Sequence, residues 1–168
     1  MKLNILLLIM AFAVASCSSQ KGNIRQSAVT GMVEDQAYTF VAQTAFPTED
    51  ARYNPRVMFP NGNQLYQLNG SYDVKITPDS VIAFLPFFGR SYTAPVNPSE
   101  GGIKFTSTDF VYKKSIRKNN YEIEIIPRDN TETRNLYITI SPNGYASLRV
   151  LSLNKTPISF NGEVRANK

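Results

Sequence analysis

The sequence predicts an all-β domain, and three observations carry that reading. From Ala37 onward, apolar residues alternate with polar ones at a period of two. The breaks between the alternating runs hold proline, asparagine and glycine at turn spacing. No segment shows a continuous apolar stripe at helical spacing. Short strands joined by tight turns describe an antiparallel meander of roughly eight or nine strands, and a sheet that long must curl, close into a barrel or fold into a two-layer sandwich to cover its apolar face. A chain of 168 residues has room for one such core.

At the amino terminus Lys2 precedes an unbroken apolar run from Ile5 to Ala15. The run is far short of the about 20 residues needed to span a bilayer, and polar residues follow at once, so it reads as the h-region of a signal peptide. Val14-Ala15-Ser16-Cys17 resembles a bacterial lipobox, in which small residues precede the cysteine that is acylated. Cys17 is the only cysteine, and lipidation explains an unpaired thiol in an exported protein. The expected organisation is a signal peptide over 1–16, a lipidated cysteine and flexible tether over 17–27, and a single β-rich domain over 28–168. Ser18, rather than aspartate, after the cysteine favours the outer membrane, with the domain facing the periplasm. Asn23 to Asp35 contains Thr30-Gly31 and allows at most a short N-terminal helix.

A first strand is expected from Ala37 to Thr44. Tyr72, Val74 and Ile76 then share one face, as do Tyr121, Ile123 and Ile125, and Leu136, Ile138 and Ile140. Ala146, Leu148 and Val150 form another such set, and Ile158 and Phe160 the last. The intervening positions, including Glu122, Glu124, Tyr137, Thr139, Ser147, Arg149, Ser159 and Asn161, form the solvated face. Turns are expected at Thr77 to Ser80, Arg117 to Asn120, Ser141 to Gly144 and Asn154 to Pro157. Pro47 to Asn63 is the longest irregular stretch and reads as a surface loop.

Composition removes much familiar chemistry. The chain has no histidine, which excludes a Ser-His-Asp triad, a Cys-His pair, His-ligated zinc and a histidine pH switch. It carries no phosphate-binding loop, dinucleotide fingerprint or nucleophile elbow, so no cofactor is expected. Asp129-Asn130-Thr131-Glu132 is oxygen-rich but misses calcium-loop spacing, and no metal site is expected. Glu122 and Glu124 would sit about 7 Å apart on one strand face, read as solvent-facing carboxylates paired with Lys113 or Arg149 across strands. A formal charge of +5 in an exported chain does not argue for nucleic acid. Lys113-Lys114 and Arg117-Lys118 flank one hairpin and read as edge protection, with anionic glycolipid as the other use of such a patch.

The densest local signal is Phe84-Leu85-Pro86-Phe87-Phe88-Gly89-Arg90-Ser91-Tyr92. Pro86 and Gly89 break any ladder, so Phe87 and Phe88 cannot simply continue a strand. One reading makes Phe87, Phe88 and Tyr92 a stacking surface with Arg90 as anion or cation-π partner. The other makes them a hydrophobic cluster closing one end of the β structure.

Leu85-Pro86-Phe87-Phe88-Gly89-Arg90-Ser91-Tyr92, then Gly101-Gly102-Ile103-Lys104-Phe105, then Asn143-Gly144-Tyr145-Ala146-Ser147-Leu148 resemble the domain of unknown function 4251 family of Bacteroidetes lipoproteins. The resemblance is collinear from about Tyr38 to Val164, including Tyr38-Thr39-Phe40-Val41-Ala42 and Ile158-Ser159-Phe160-Asn161-Gly162. The family usually carries tyrosine where this chain has Phe87 and Phe160, so two hydroxyls are missing. The resemblance implies an exported lipoprotein with a β-rich domain and transfers no activity. It also makes Asp79-Ser80-Val81 similar to the O-glycosylation acceptor used in that phylum, with Ser80 as the acceptor.

These readings lead to a non-enzymatic binding or scaffolding domain held to the outer membrane through its lipid anchor. Its Phe84 to Tyr92 segment would be offered to a small apolar or glycan ligand or to an envelope protein. Two alternatives stay open: a hydrolase using carboxylate or tyrosine side chains, and a protein-docking subunit without a small ligand. A binder needs a concave site, a docking subunit a flat exposed patch.

Overall fold

A computed structural model of the protein describes residues 19–48, 64–68, 72–92 and 101–167. The signal peptide, Cys17 and nearly all of the Pro47 to Asn63 stretch lie outside the described residues. Helix α1 (Ser19–Glu34) leads into β1 (Tyr38–Pro47), a 3-10 turn (Gln64–Tyr66), β2 (Asp73–Ile76), β3 (Val81–Leu85) and β4 (Ile103–Ser107). Then follow β5 (Phe110–Arg117), β6 (Asn120–Pro127), β7 (Thr133–Ile140), β8 (Tyr145–Ser152) and β9 (Ile158–Ala166). The all-β fold is as the alternation predicts, with the described strands in one antiparallel sheet curled into a nearly closed barrel.

The sheet order is β4-β3-β2-β1-β9-β8-β7-β6-β5, with every neighbouring pair antiparallel. Direction along that order alternates, and counting from β1 outward both ways leaves β4 and β5 running the same way. Only Thr108 and Asp109 separate them, far fewer residues than a parallel crossover requires. They are therefore two limbs of one bent strand, one limb on β3 and the other on β6. The bend turns a nine-strand order into an eight-membered ring, the parity an all-antiparallel barrel needs.

Asp129, in the β6–β7 connection, holds the corner. Its Oδ1 accepts the Ser107 hydroxyl, and its Oδ2 accepts the Thr108 amide at 2.8 Å and the Asp109 amide at 3.2 Å. The Arg128 amide returns a bond to the Asp109 carbonyl at 2.8 Å. Ser107 is fully buried, and this carboxylate satisfies it. Asn130 steadies the same loop by accepting the Glu132 and Thr133 amides at 2.9 and 2.7 Å.

Inward positions alternate along each strand and fill the barrel with Tyr38, Phe40, Ile76, Leu85, Ile123, Leu136, Leu148 and Phe160, all at 2 % exposure or less. A bulge in β1 between Ala42 and Thr44 ejects Gln43 to the outside. Opposite it lies Gly162, where a Cβ would come 1.9 Å from the Val41 carbonyl oxygen, so only glycine fits that approach.

Helix α1 covers one mouth of the barrel. Val29 and Val33, one turn apart, are each 1 % exposed, and the Thr30 hydroxyl lies 2.9 Å from that of Tyr121 at the start of β6. Arg25 pairs with Glu163 at 3.8 Å, and Glu34 with Lys114. The helix starts at Ser19, so residues 19–27, expected as tether, are helical here. Two buried valines anchor it where the sequence shows no longer stripe, because tertiary packing outweighs weak local propensity. It stops through the Ala37 amide bonding the Met32 carbonyl at 3.0 Å, with Gln36 in the left-handed region at φ 51° where glycine is usual.

The Ser107 hydroxyl and the corner amides lower the Asp129 pKa from 3.8 to about 2. A depressed folded value means the carboxylate stabilises the fold fully above pH 3.8 and loses its contribution as the pH falls toward about 2. Asp129→Asn points an amide donor at the same donors. It will lower the denaturation midpoint at neutral pH, and the gap from the parent protein will narrow as the pH drops through that window. Equilibrium unfolding of both proteins across acid pH checks this, and a gap independent of pH contradicts it.

Candidate functional site

The Phe84 to Tyr92 segment closes the barrel mouth opposite α1. Phe87 and Phe88 are half-buried and pack against the core. Phe88 meets Tyr66 edge-on at 5.5 Å between centroids, while the Lys155 ammonium stands 6.0 Å from the centre of Phe87. Beyond them the chain zips onto the β8–β9 connection. The Tyr92 amide donates to the Asn154 carbonyl at 2.8 Å, the Thr156 amide to the Arg90 carbonyl at 2.9 Å, and the Arg90 amide to the Thr156 hydroxyl at 3.2 Å. A Cβ on Gly89 would stand 2.6 Å from that hydroxyl and 2.9 Å from the Phe87 ring, so the glycine is there for close approach. Arg90 and Tyr92 have exposed side chains, Tyr92 at 69 %. Phe87 and Phe88 thus engage partners on different elements, and none of the four residues lines either hollow described below.

Phe84 faces outward, stacked on Tyr72 at 5.6 Å with Lys104 5.0 Å from its ring. Ser80 closes the β2–β3 turn, half-buried, its hydroxyl 2.9 Å from that of Thr77. Cys17 lies outside the described residues.

The concave surface is on the outside of the barrel, over β7, β8 and β9. One hollow is lined by Gln43, Ser141, Tyr145 and Asn161, the other by Tyr137, Arg149, Leu151 and Ser159, and both include Thr139 and Ser147, which joins them. Strand register explains the alignment. Glu124, Tyr137, Arg149 and Ser159 stand opposite one another on successive strands, and Glu122, Thr139, Ser147 and Asn161 form the next row. The β1 bulge extends the second row by turning Gln43 outward. Most of these side chains end in a hydroxyl, an amide or a guanidinium.

Glu124 organises the first row. Its carboxylate accepts Lys113 Nζ at 3.2 Å and Asn135 Nδ2 at 2.8 Å, and Tyr137 stands opposite it in register. The Lys113 bond is the largest influence holding its pKa below the ordinary value. Desolvation first, and then the neighbouring Glu124 carboxylate, push the Tyr137 hydroxyl pKa up. An acid held ionised and a phenol held protonated orient a ligand; they do not supply the raised-pKa acid of a glycosidase. Inside the barrel, Tyr38 and Tyr112 share a hydroxyl contact at 3.3 Å, and burial raises both pKa values, so neither is an activated nucleophile. Among the described residues no three metal-ligating side chains gather.

The expectation of Lys113 pairing with Glu124 holds at 3.2 Å; Arg117, rather than Arg149, reaches Glu122, at 3.8 Å. Of the groove residues, Tyr137, Thr139, Ser147, Arg149, Ser159 and Asn161 are on the face read as solvated, and Ser141 is in an expected turn. Their signal was composition: solvated strand faces usually carry lysine and glutamate, and this one carries serine, threonine, asparagine and tyrosine.

If Phe88 is a closing residue, Phe88→Ala will cost about 2 kcal/mol, below the range for a fully buried ring, and Arg90→Ala will stay within about 0.5 kcal/mol. Denaturant unfolding of both variants measures this; equal small effects contradict it.

The model of the Domain of unknown function (DUF4251) family matches residues 20–164. No curated protein matches the chain. Among solved structures, a DUF4251 family protein from Bacteroides eggerthii DSM 20697 is similar at a TM-score of 0.54 and 14% identity, covering 85% of this chain and 88% of that one. At that identity the likeness speaks for the shared fold. The family match across nearly the whole domain is the stronger finding, and by it the chain belongs to the DUF4251 family.

Proposed function

We propose that this protein is a non-enzymatic binding domain of the cell envelope, anchored through Cys17 to the outer membrane on its periplasmic side. Its outer groove over β7 to β9 takes a hydroxyl-rich ligand of the glycan type. The observation that supports the ligand class is the row-by-row alignment of hydrogen-bonding side chains, Tyr137, Thr139, Ser147, Ser159 and Asn161, along one open hollow. An apolar ligand needs a desolvated pocket, whereas a saccharide needs spaced donors and acceptors and a ring face to lie against. Tyr137, 40 % exposed and opposite Glu124 in the cross-strand row, offers such a face. The Phe84 to Tyr92 segment serves this reading as the closure of the barrel that keeps the groove rigid.

The anchor is tested in the native cell: Cys17→Ala moves the protein from the membrane to the soluble fraction, and continued membrane retention contradicts the anchor. Ligand class is tested with the full-length protein in detergent on a panel of immobilised oligosaccharides. Specific retention is expected, weakened by up to about tenfold in Tyr137→Ala. Failure to retain any saccharide by a protein with an unchanged circular dichroism spectrum overturns the reading.

A further inference from the structure

Arg149 is the one cation among the residues that line the two hollows. Lys113 is paired with Glu124, Arg117 with Glu122, Lys155 with Glu132, and Arg25 and Arg165 with Glu163. Arg149 is exposed and has no carboxylate within ion-pairing reach among the described residues. Tyr137 occupies the register position between it and Glu124, so the acid of this row is not the partner of the arginine. The guanidinium lies in the hollow itself, with Ser159 opposite on β9 and Ser147 two residues along β8.

Resting on the glycan reading above, we infer that Arg149 and Tyr137 form an acid-sugar subsite, in which the arginine takes the carboxylate of a uronic acid and the tyrosine takes its ring face. A guanidinium presents paired N–H groups in the plane and spacing of a carboxylate, a match an ammonium lacks. The sugar ring that carries the carboxylate then lies over the neighbouring strand, where Tyr137 stands opposite Arg149. Ring hydroxyls fall toward Ser147 and Ser159, which supply short donors and acceptors on the same face. Charge complementarity selects the occupant. The hollow contains an uncommitted cation and no carboxylate of its own among its lining residues, so an anionic sugar gains where a neutral one gains only hydrogen bonds.

The experiment uses the full-length protein in detergent with two probes, oligogalacturonides and the same oligomers methyl-esterified, which share every hydroxyl and differ in charge. Calorimetric titration is expected to give the acid form an advantage of about ten- to a hundredfold over the ester. Arg149→Gln will erase that advantage, and Arg149→Lys will keep the charge but recover only part of it. Arg165→Gln, a charge removal at a paired arginine away from the hollow, will leave it unchanged. Equal binding of acid and ester overturns this inference and leaves the glycan reading standing. An acid preference that survives in Arg149→Gln, or that falls equally in Arg165→Gln, also overturns it by making the effect one of net charge. Binding of neither probe, with retention on other saccharides, overturns the acid-sugar subsite alone; retention on none overturns both.

Discussion

The carboxylate of Asp129 at the corner between β4 and β5 is the constraint on which the barrel depends. An antiparallel meander that closes on itself needs an even number of members, and the described strands form nine segments. Bending one strand between two neighbours resolves the parity, but a bend exposes backbone amides that no ladder can take. Asp129 receives two of them and a buried hydroxyl with one side chain. The corner also resets which side chains face inward. Ile103, Phe105 and Ser107 face the interior along one limb, Phe110 and Tyr112 along the other, and the three-residue step from Ser107 to Phe110 is a change of phase. Without it the second limb would turn its polar face to the core.

The interior follows from that closure. A ring of this size leaves room for side chains and little else, and large apolar residues occupy it from β1 round to β9. Where β1 and β9 close the ring, backbone comes so near that Gly162 is required, and its register neighbours Ala42 and Ala146 are both alanines. The two mouths are sealed differently. At one, α1 lays two valines over the rim and uses a threonine hydroxyl to reach Tyr121. At the other, Phe87 and Phe88 fold under a backbone zipper to the β8–β9 connection. Among the described residues every buried side-chain polar atom has a partner, as a dry interior requires.

Much of this was legible in the sequence because strand alternation records burial directly. The faces containing Val74, Ile123, Leu136 and Leu148 are read correctly from period alone, and the turn at Ser141 to Gly144 from its asparagine and glycine. The Lys118-Asn119 turn has both residues at positive φ without glycine, so its geometry has no strong local signature. The start of α1 was hidden because two valines carry its burial, and its end because Gln36 takes a position that glycine normally marks. Asp129 sat in a motif that reads as a solvated hairpin, and its role depends on a strand more than twenty positions earlier in the chain, beyond any local pattern. The groove failed to show for a related reason. Most of its residues are visible as outward positions, but only register across three strands puts Tyr137, Arg149 and Ser159 in line.

A filled barrel moves the question of function to its outside, and the outside is uneven. On β5 and β6, charged side chains pair across strands, Lys113 with Glu124 and Arg117 with Glu122, and the surface is close to neutral at each step. On β7 to β9 the charges thin out, hydroxyls and amides replace them, and Arg134 and Arg149 have no ion-pair partner among the described residues. Solubility alone would be served by either composition. Conformational entropy separates the two: long charged side chains lose rotamer freedom when a ligand immobilises them, whereas serine and threonine lose little. Glu124, opposite Tyr137 at the edge of the groove, is itself held by Lys113 and Asn135, so that rim is ordered before any ligand arrives. The charged strands thus act as the support that holds the uncharged ones ready, and the recognition surface is built where binding demands the least reordering.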